Sequence, residues 1–188
     1  TTGEDDVLMV SRGGQAIRFH ETDVRSMGRP ASGVQGMRLR GDDEVIEVDV
    51  ADPDADLLVV TENGWGKRTR VADYPVKGRG GLGVKTAQLV EGKGKLAGAR
   101  IVRTGYAVML ISDGGTVIRM AADDIKRSGR STQGVIVVRP RDGERVATLA
   151  LVAGSDEAGV PEEAVSTEPP AEPPEEVGSE VPGDAPEA

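Results

Sequence analysis

Short apolar runs alternate with glycine turns along most of the chain. Val7-Leu8-Met9-Val10, Leu57-Leu58-Val59-Val60 and Val108-Met109-Leu110-Ile111 are the clearest runs. Each leads into a turn: Arg12-Gly13-Gly14, Glu62-Asn63-Gly64 and Asp113-Gly114-Gly115. Glycine accepts the positive φ of a tight hairpin turn without steric cost, so each pattern predicts a β-hairpin. The second arms are Ala16-Ile17-Arg18-Phe19, Trp65-Gly66-Lys67-Arg68 and Val117-Ile118-Arg119-Met120. A third strand is expected over 34–39, 84–90 and 135–138, and a fourth over 44–50, 96–102 and 146–152. Four short strands in about 50 residues leave little room for helix.

The hairpins belong to a threefold internal repeat. Gly28-Arg29, Gly78-Arg79 and Gly129-Arg130 fall at equivalent places, each followed by Gly-Val: Gly33-Val34, Gly83-Val84 and Gly134-Val135. Asp23, Asp73 and Asp124 precede the Gly-Arg pairs in step. A repeat of this length marks a propeller blade or a solenoid unit. The expected fold is all-β, with three propeller-like blades at about 5–55, 56–105 and 106–153. An arginine recurring at one place on every unit points to one shared ligand.

Charge divides the chain further. Residues 154–188 hold eleven acidic residues, no Lys or Arg, and most of the prolines. Such a segment has too little apolar surface to offset its ordering entropy, and it is expected to be a disordered acidic tail. The net charge of −9 therefore misdescribes the rest, where 23 basic residues face 21 acidic ones. The three repeats carry about −5, +6 and +2, so the second is the strongest candidate for binding a polyanion.

The absence of Cys excludes a disulfide framework, a thiolate metal site and a Cys nucleophile. It suits an intracellular protein, as does the lack of a signal peptide or long apolar span. The start at Thr1-Thr2 resembles a cut site. Three blades would leave two open faces, so the chain is expected to be the C-terminal part of a longer domain.

The candidate chemistry centres on Lys77-Gly78-Arg79-Gly80-Gly81-Leu82-Gly83-Val84-Lys85. Gly78, Gly80, Gly81 and Gly83 would let the backbone approach an anion and offer it successive N–H groups. Lys77, Arg79 and Lys85 add charge, and Arg79 has the fork for a phosphate. Lys67, Arg68 and Arg70 on the flanking strand reinforce the loop. Arg29 and Arg130 repeat Arg79 beside small polar residues, with Lys126 and Arg127 supporting the third site and Arg25 and Arg38 the first. The alternative is that this arginine pairs with the aligned Asp of its own or the next blade. Arg18, Arg68 and Arg119 also align, either as an extension of the rim or as a solvated strand face.

Other motifs carry less. Gly78 to Gly83 formally spells Gly-x-Gly-x-x-Gly, but a nucleotide loop needs a helix after it, and residues 84–90 read as a strand. His20 is the sole histidine, which disfavours a metal site or a His-based triad. Trp65 reads as a packing or rim residue. No catalytic set is recognisable.

The stretches Asp6 to Phe19, Met27 to Met37, Lys67-Arg68-Thr69, Tyr74 to Val84 and Gly115 to Val135 resemble the C-terminal DNA-wrapping domain of the DNA gyrase A subunit, of the actinobacterial kind. The resemblance spans nearly all of residues 5–153. It implies a β-pinwheel, a propeller-like disc whose basic rim bends DNA. The family's wrapping motif is Gln-Arg-Arg-Gly-Gly-Lys-Gly. Arg79, Gly80, Gly81 and Gly83 match it, while Lys77, Gly78 and Leu82 depart, as in the degenerate second copy of actinobacterial gyrases. The resemblance implies sequence-tolerant binding of double-stranded DNA within an ATP-dependent type II topoisomerase that introduces negative supercoils. The implied partners are the rest of the gyrase A subunit, together with the gyrase B subunit, in an A2B2 assembly. Catalysis, ATP and Mg use would lie in other parts, with no cofactor in this chain. The implied location is the bacterial cytoplasm at the nucleoid, with no membrane partner. The C-terminal domain of topoisomerase IV and a propeller-type protein-interaction module are the competing readings.

Overall fold

The computed structural model describes residues 1–152, so the acidic segment 154–188 lies outside the described residues. Eleven strands form: β1 (Asp6–Ser11), β2 (Gln15–His20), β3 (Val45–Val50), β4 (Asp56–Thr61), β5 (Trp65–Arg70), β6 (Val84–Lys85), β7 (Leu96–Val102), β8 (Ala107–Ser112), β9 (Val117–Ala121), β10 (Val135–Ile136) and β11 (Val146–Val152). The only helical pieces among the described residues are three-residue 3₁₀ turns at Glu21–Asp23, Val71–Asp73 and Ala122–Asp124. The three aligned aspartates each close one of these turns.

The three expected hairpins are present as β1–β2, β4–β5 and β8–β9. In each repeat the fourth strand pairs antiparallel with the first arm of its own hairpin. The third strand behaves differently from expectation. It is only two residues long in the second and third repeats, and it crosses to the preceding repeat. β6 pairs with β2, and β10 pairs with β5. The sheets therefore run β3-β1-β2-β6, β10-β5-β4-β7 and β11-β8-β9. Residues 34–39 form no strand, because among the described residues no earlier repeat offers a hairpin for them to cross to. Among the described residues the third sheet has three strands, with β9 and β11 at its two edges.

Gly-Val recurs because of this crossing. Gly83 and Gly134 have φ of +72° and +77°. A Cβ on either would overlap the carbonyl of the hairpin being crossed, that of Ala16 or of Gly66. Gly33 has a similar φ of +82° but faces open space.

The sheets stack face to face through two cores. β4 is buried along its whole length, and its side chains alternate between them. Leu57 and Val59 join Leu8, Val10 and Tyr74 in the core between the first and second sheets. Leu58 and Val60 join Val108, Leu110 and Ile125 between the second and third. The far face of the first sheet carries Ile17 and Phe19, with Val7 and Met9 beside them, and Met37 from the same repeat covers it. Fully buried Leu and Val side chains contribute roughly 1.5–3 kcal/mol each, so the joints between repeats account for much of the stability.

Candidate nucleic-acid interface

Each Gly-Arg loop of the second and third repeats lies along the second arm of the preceding hairpin. Lys77 donates its backbone N–H to the Arg18 carbonyl at 2.8 Å, and Ser128 does the same to Arg68 at 2.8 Å. The Arg68 N–H returns a bond to the Lys126 carbonyl at 3.0 Å. The loops are thus held at the outer edge of the sheets by the same joint, used twice.

Arg18 and Arg68 form the core of that joint, a role their alignment alone did not specify. The Arg18 guanidinium pairs with Asp6 at 2.8 Å and reaches the carbonyls of Val71 and Tyr74 at 3.3 and 3.5 Å. Arg68 is buried. It bonds the carbonyls of Ile125 at 2.8 Å and Asp123 at 2.9 Å, and the Asp123 carboxylate at 2.8 Å. Each arginine thus grips the 3₁₀ turn that leads into the next repeat's loop. In the third repeat Ala107 stands where Asp6 and Asp56 stand in the others, and Arg119 lies on the β9 edge.

Lys67 is also interior, at 1% exposure. Its ammonium donates to the Gly129 carbonyl at 2.7 Å, the Arg130 carbonyl at 2.6 Å and Thr132 Oγ1 at 3.1 Å. Three N–H donors meet three oxygens, so the third loop closes around this one charge. Burial, aided by the nearby Arg130 charge, pushes the Lys67 pKa down to about 8. Lys67 and Arg68 therefore stand behind the third loop rather than on the surface where sequence reasoning placed them. Thr69 adds a bond from its hydroxyl to the Ser128 carbonyl at 2.9 Å.

The remaining candidates differ in how far they reach solvent. Lys77 and Gly78 are exposed at the tip of the second loop. Arg79 is half-buried, and its guanidinium donates to the carbonyls of Asp23 at 2.7 Å and Gln35 at 3.1 Å in the first repeat. It engages backbone oxygens there, not an aspartate carboxylate. Gly80, Gly81 and Gly83 are half-buried, and the Gly80 N–H is already donated to the Gly36 carbonyl at 2.6 Å. The expected run of free N–H groups is thus incomplete. Lys85 is exposed, with Gln88 at 2.8 Å. Arg70, Arg29 and Lys126 are exposed. Arg130 is partly exposed, with its guanidinium carbon 5.9 Å from the centre of the Tyr74 ring. Arg127 holds the buried Asp56 carboxylate through two nitrogens at 2.9 and 2.8 Å.

Two further residues support this surface. Tyr74 is buried beneath the second loop, its hydroxyl 2.5 Å from Thr86 Oγ1, and burial pushes its pKa up to about 12. Lys93 lies over the Trp65 ring at 3.4 Å, which makes Trp65 a rim residue already occupied by a cation. Asp56 escaped sequence reasoning. Its alignment with Asp6, opposite the aligned arginines, was the available signal. Among the described residues no group of acidic or histidine side chains has the geometry of a metal site. Among them, too, no helix is long and apolar enough to cross a membrane.

Stacked antiparallel sheets, completed by strands from the following repeat and carrying Gly-Arg loops at the outer edge, define a β-pinwheel. The family model for the DNA gyrase C-terminal domain, a β-propeller, matches residues 5–52, 55–103 and 107–153. The chain belongs to this family. It is 44% identical over 159 residues to the DNA gyrase A subunit of Mycolicibacterium smegmatis, covering 84% of this chain and 19% of the relative. It is 42% identical over 153 residues to the DNA gyrase A subunit of Klebsiella oxytoca, covering 81% of this chain and 18% of that protein. The chain thus spans under a fifth of the length of these curated relatives. Among solved structures, a DNA gyrase A C-terminal domain superimposes with a TM-score of 0.73 at 26% identity, covering 79% of this chain and 50% of that one. The C-terminal domain of a DNA topoisomerase IV superimposes at 0.76 and 23% identity, over 81% of this chain and 48% of the other, which establishes a common fold.

Proposed function

We propose that this chain binds double-stranded DNA with little regard to sequence and bends it along the outer edge of its sheets. It would do so as the C-terminal part of a DNA gyrase A subunit of the actinobacterial type. The observation that carries this reading is the placement of the loops. Lys77 in the second loop, Arg130 and Lys126 in the third and Arg29 in the first present positive charge on equivalent loops, and the second and third loops are anchored by an equivalent backbone bond, from Lys77 to Arg18 and from Ser128 to Arg68. Charges spaced repeat by repeat neutralise phosphates without reading bases. Bending a duplex costs several kcal/mol, offset by the additional phosphate contacts the bend allows.

Arg79, Arg127, Lys67 and Arg68 give such a surface its rigidity, since their guanidinium and ammonium groups tie neighbouring repeats together. Rigid loops hold their cations in place without further ordering cost on binding. In this reading the chain is non-catalytic and uses no cofactor. The ATP- and Mg-dependent steps of the topoisomerase lie in the rest of the gyrase A subunit, or in the gyrase B subunit, both of them partners in the bacterial cytoplasm. The pieces 5–55, 56–105 and 106–153 act as three blades of a larger disc, with 154–188 as an acidic extension.

The test is duplex DNA binding by the full chain across a salt series, wild type against Lys77→Ala/Arg130→Ala. The proposal expects log K to fall linearly with log salt, with a shallower slope in the variant. A folded wild-type protein that fails to bind duplex DNA at low salt would overturn it.

A further inference from the structure

A second basic surface lies beside the second Gly-Arg loop without belonging to it. The Arg38 N–H donates to the Gly81 carbonyl at 2.8 Å, and the Gly80 N–H donates to the Gly36 carbonyl at 2.6 Å. These two bonds fasten residues 36–38 of the first repeat to the loop of the second. Met37 turns inward against Ile17 and Phe19. Arg38 and Arg40 are both exposed. They line a cleft of about 450 Å³ with Lys95, Asp42, Asp43 and Gly83.

The charges in the cleft are unequally engaged. Asp42 is paired with Lys95 at 3.1 Å. Asp43 accepts the N–H groups of Gly13 at 2.6 Å and Glu44 at 2.9 Å, which turns its carboxylate toward the hairpin turn. Among the described residues, the ion pairs of the first repeat's other arginines are those of Arg12 and Arg18, and Arg38 and Arg40 stand outside them. A cleft lined by two exposed guanidiniums that have no ion-pair partner among the described residues has the chemistry of a phosphate site.

We propose that Arg38 and Arg40 form an additional phosphate-contact site for duplex DNA, extending the path from the second Gly-Arg loop toward the hairpin turn of the first repeat. The inference rests on the DNA-binding reading above. The site is specific to certain repeats. The third repeat has Arg139 and Arg141 at the equivalent places, whereas the second has Gln88 and Val90. The path therefore gains contacts beside the first and third repeats and none from these positions in the second.

Duplex DNA affinity of the full chain across a salt series tests this, with wild type, Arg38→Ala/Arg40→Ala, Arg38→Lys/Arg40→Lys and Lys77→Ala compared. Each phosphate contact contributes about 0.9 to the slope of log K against log salt. The alanine pair is expected to lose about 1.8 from the slope, and the lysine pair to keep it. Both side chains are exposed, so thermal unfolding of the two variants should match wild type. A wild-type slope and affinity in the alanine pair, with Lys77→Ala weakened, would overturn the cleft and leave the proposed function standing. A lysine pair as weak as the alanine pair, at wild-type stability, would also overturn a site that acts through charge. Absence of binding by wild type would overturn both.

Discussion

Replacing Lys67 with methionine separates the two roles that basic residues play here. The substitution keeps most of the stem but removes an ammonium that serves three oxygens, at 2.7, 2.6 and 3.1 Å. Two of those oxygens are loop carbonyls, and a hydrogen bond from a charged donor contributes about 1.5–3 kcal/mol. Against this, methionine avoids desolvating a charge, the effect that pushes the Lys67 pKa down. The expected net loss is about 2 kcal/mol, or about 4–8 °C in melting temperature for a domain of this size. Calorimetry or circular dichroism on the full chain reads it directly. Lys77→Met, at an exposed loop tip, should shift the melting temperature by less than about 1 °C while weakening DNA binding. The reasoning fails if Lys67→Met melts with wild type and weakens DNA binding as Lys77→Met does. That pair of results would place the Lys67 ammonium on the DNA rather than in the joint.

Other substitutions probe the joint itself. Gly83→Ala should destabilise by about 2–4 kcal/mol, because the new Cβ meets the Ala16 carbonyl; Gly33→Ala carries only the backbone penalty of about 1 kcal/mol, and equal melting shifts would refute the strand-crossing explanation. Arg68→Ala should cost about 3 kcal/mol or more by leaving Asp56 and the Ile125 carbonyl poorly served, whereas Arg119→Ala at the aligned position should fall within about 0.5 kcal/mol in chemical unfolding. The pH dependence of stability that begins near pH 8 comes from Lys67, whose pKa drops from 10.5 to about 8 in the fold, while Tyr74, raised from 10 to about 12, opposes it above about pH 10. Below pH 8 both states hold the lysine proton, and between about 8 and 10.5 the unfolded chain holds more, so the lysine's contribution to stability rises with pH across that window. Urea titrations of wild type and Lys67→Met should differ in slope over that range, and parallel curves would contradict the assignment.

The hairpins and the repeat were legible because they rest on local signals. Apolar runs such as Leu57 to Val60 and turns such as Glu62-Asn63-Gly64 carry their own geometry. The partner of each strand was not legible. Period-two patterning states that Val84 belongs to a strand but not which hairpin receives it, and the crossing to β2 depends on a contact between Gly83 and Ala16 far apart in sequence. Lys67 and Arg68 read as surface cations for the same reason. Most of their acceptors, from Asp123 to Thr132, arrive more than fifty residues later, and those oxygens, together with the Asp56 carboxylate beside Arg68, offset the burial of the charges. The loops bearing Lys77 and Arg130 stand out in the sequence because the Gly-Arg repeat marks them. The same repeat marks Arg79, but its grip on the Asp23 and Gln35 carbonyls depends on how the first and second repeats dock.

If the aligned loops wrap DNA along a path of fixed hand, binding of the chain changes the linking number of a closed circle. Relaxed circular DNA is incubated with the full chain, treated with a type I topoisomerase and stripped of protein. The account predicts a shift in linking number that grows with protein and shrinks in Lys77→Ala/Arg130→Ala. Tight, salt-sensitive binding with no shift at saturating protein would contradict it, reducing these loops to a grip on DNA that does not wrap it with a fixed hand.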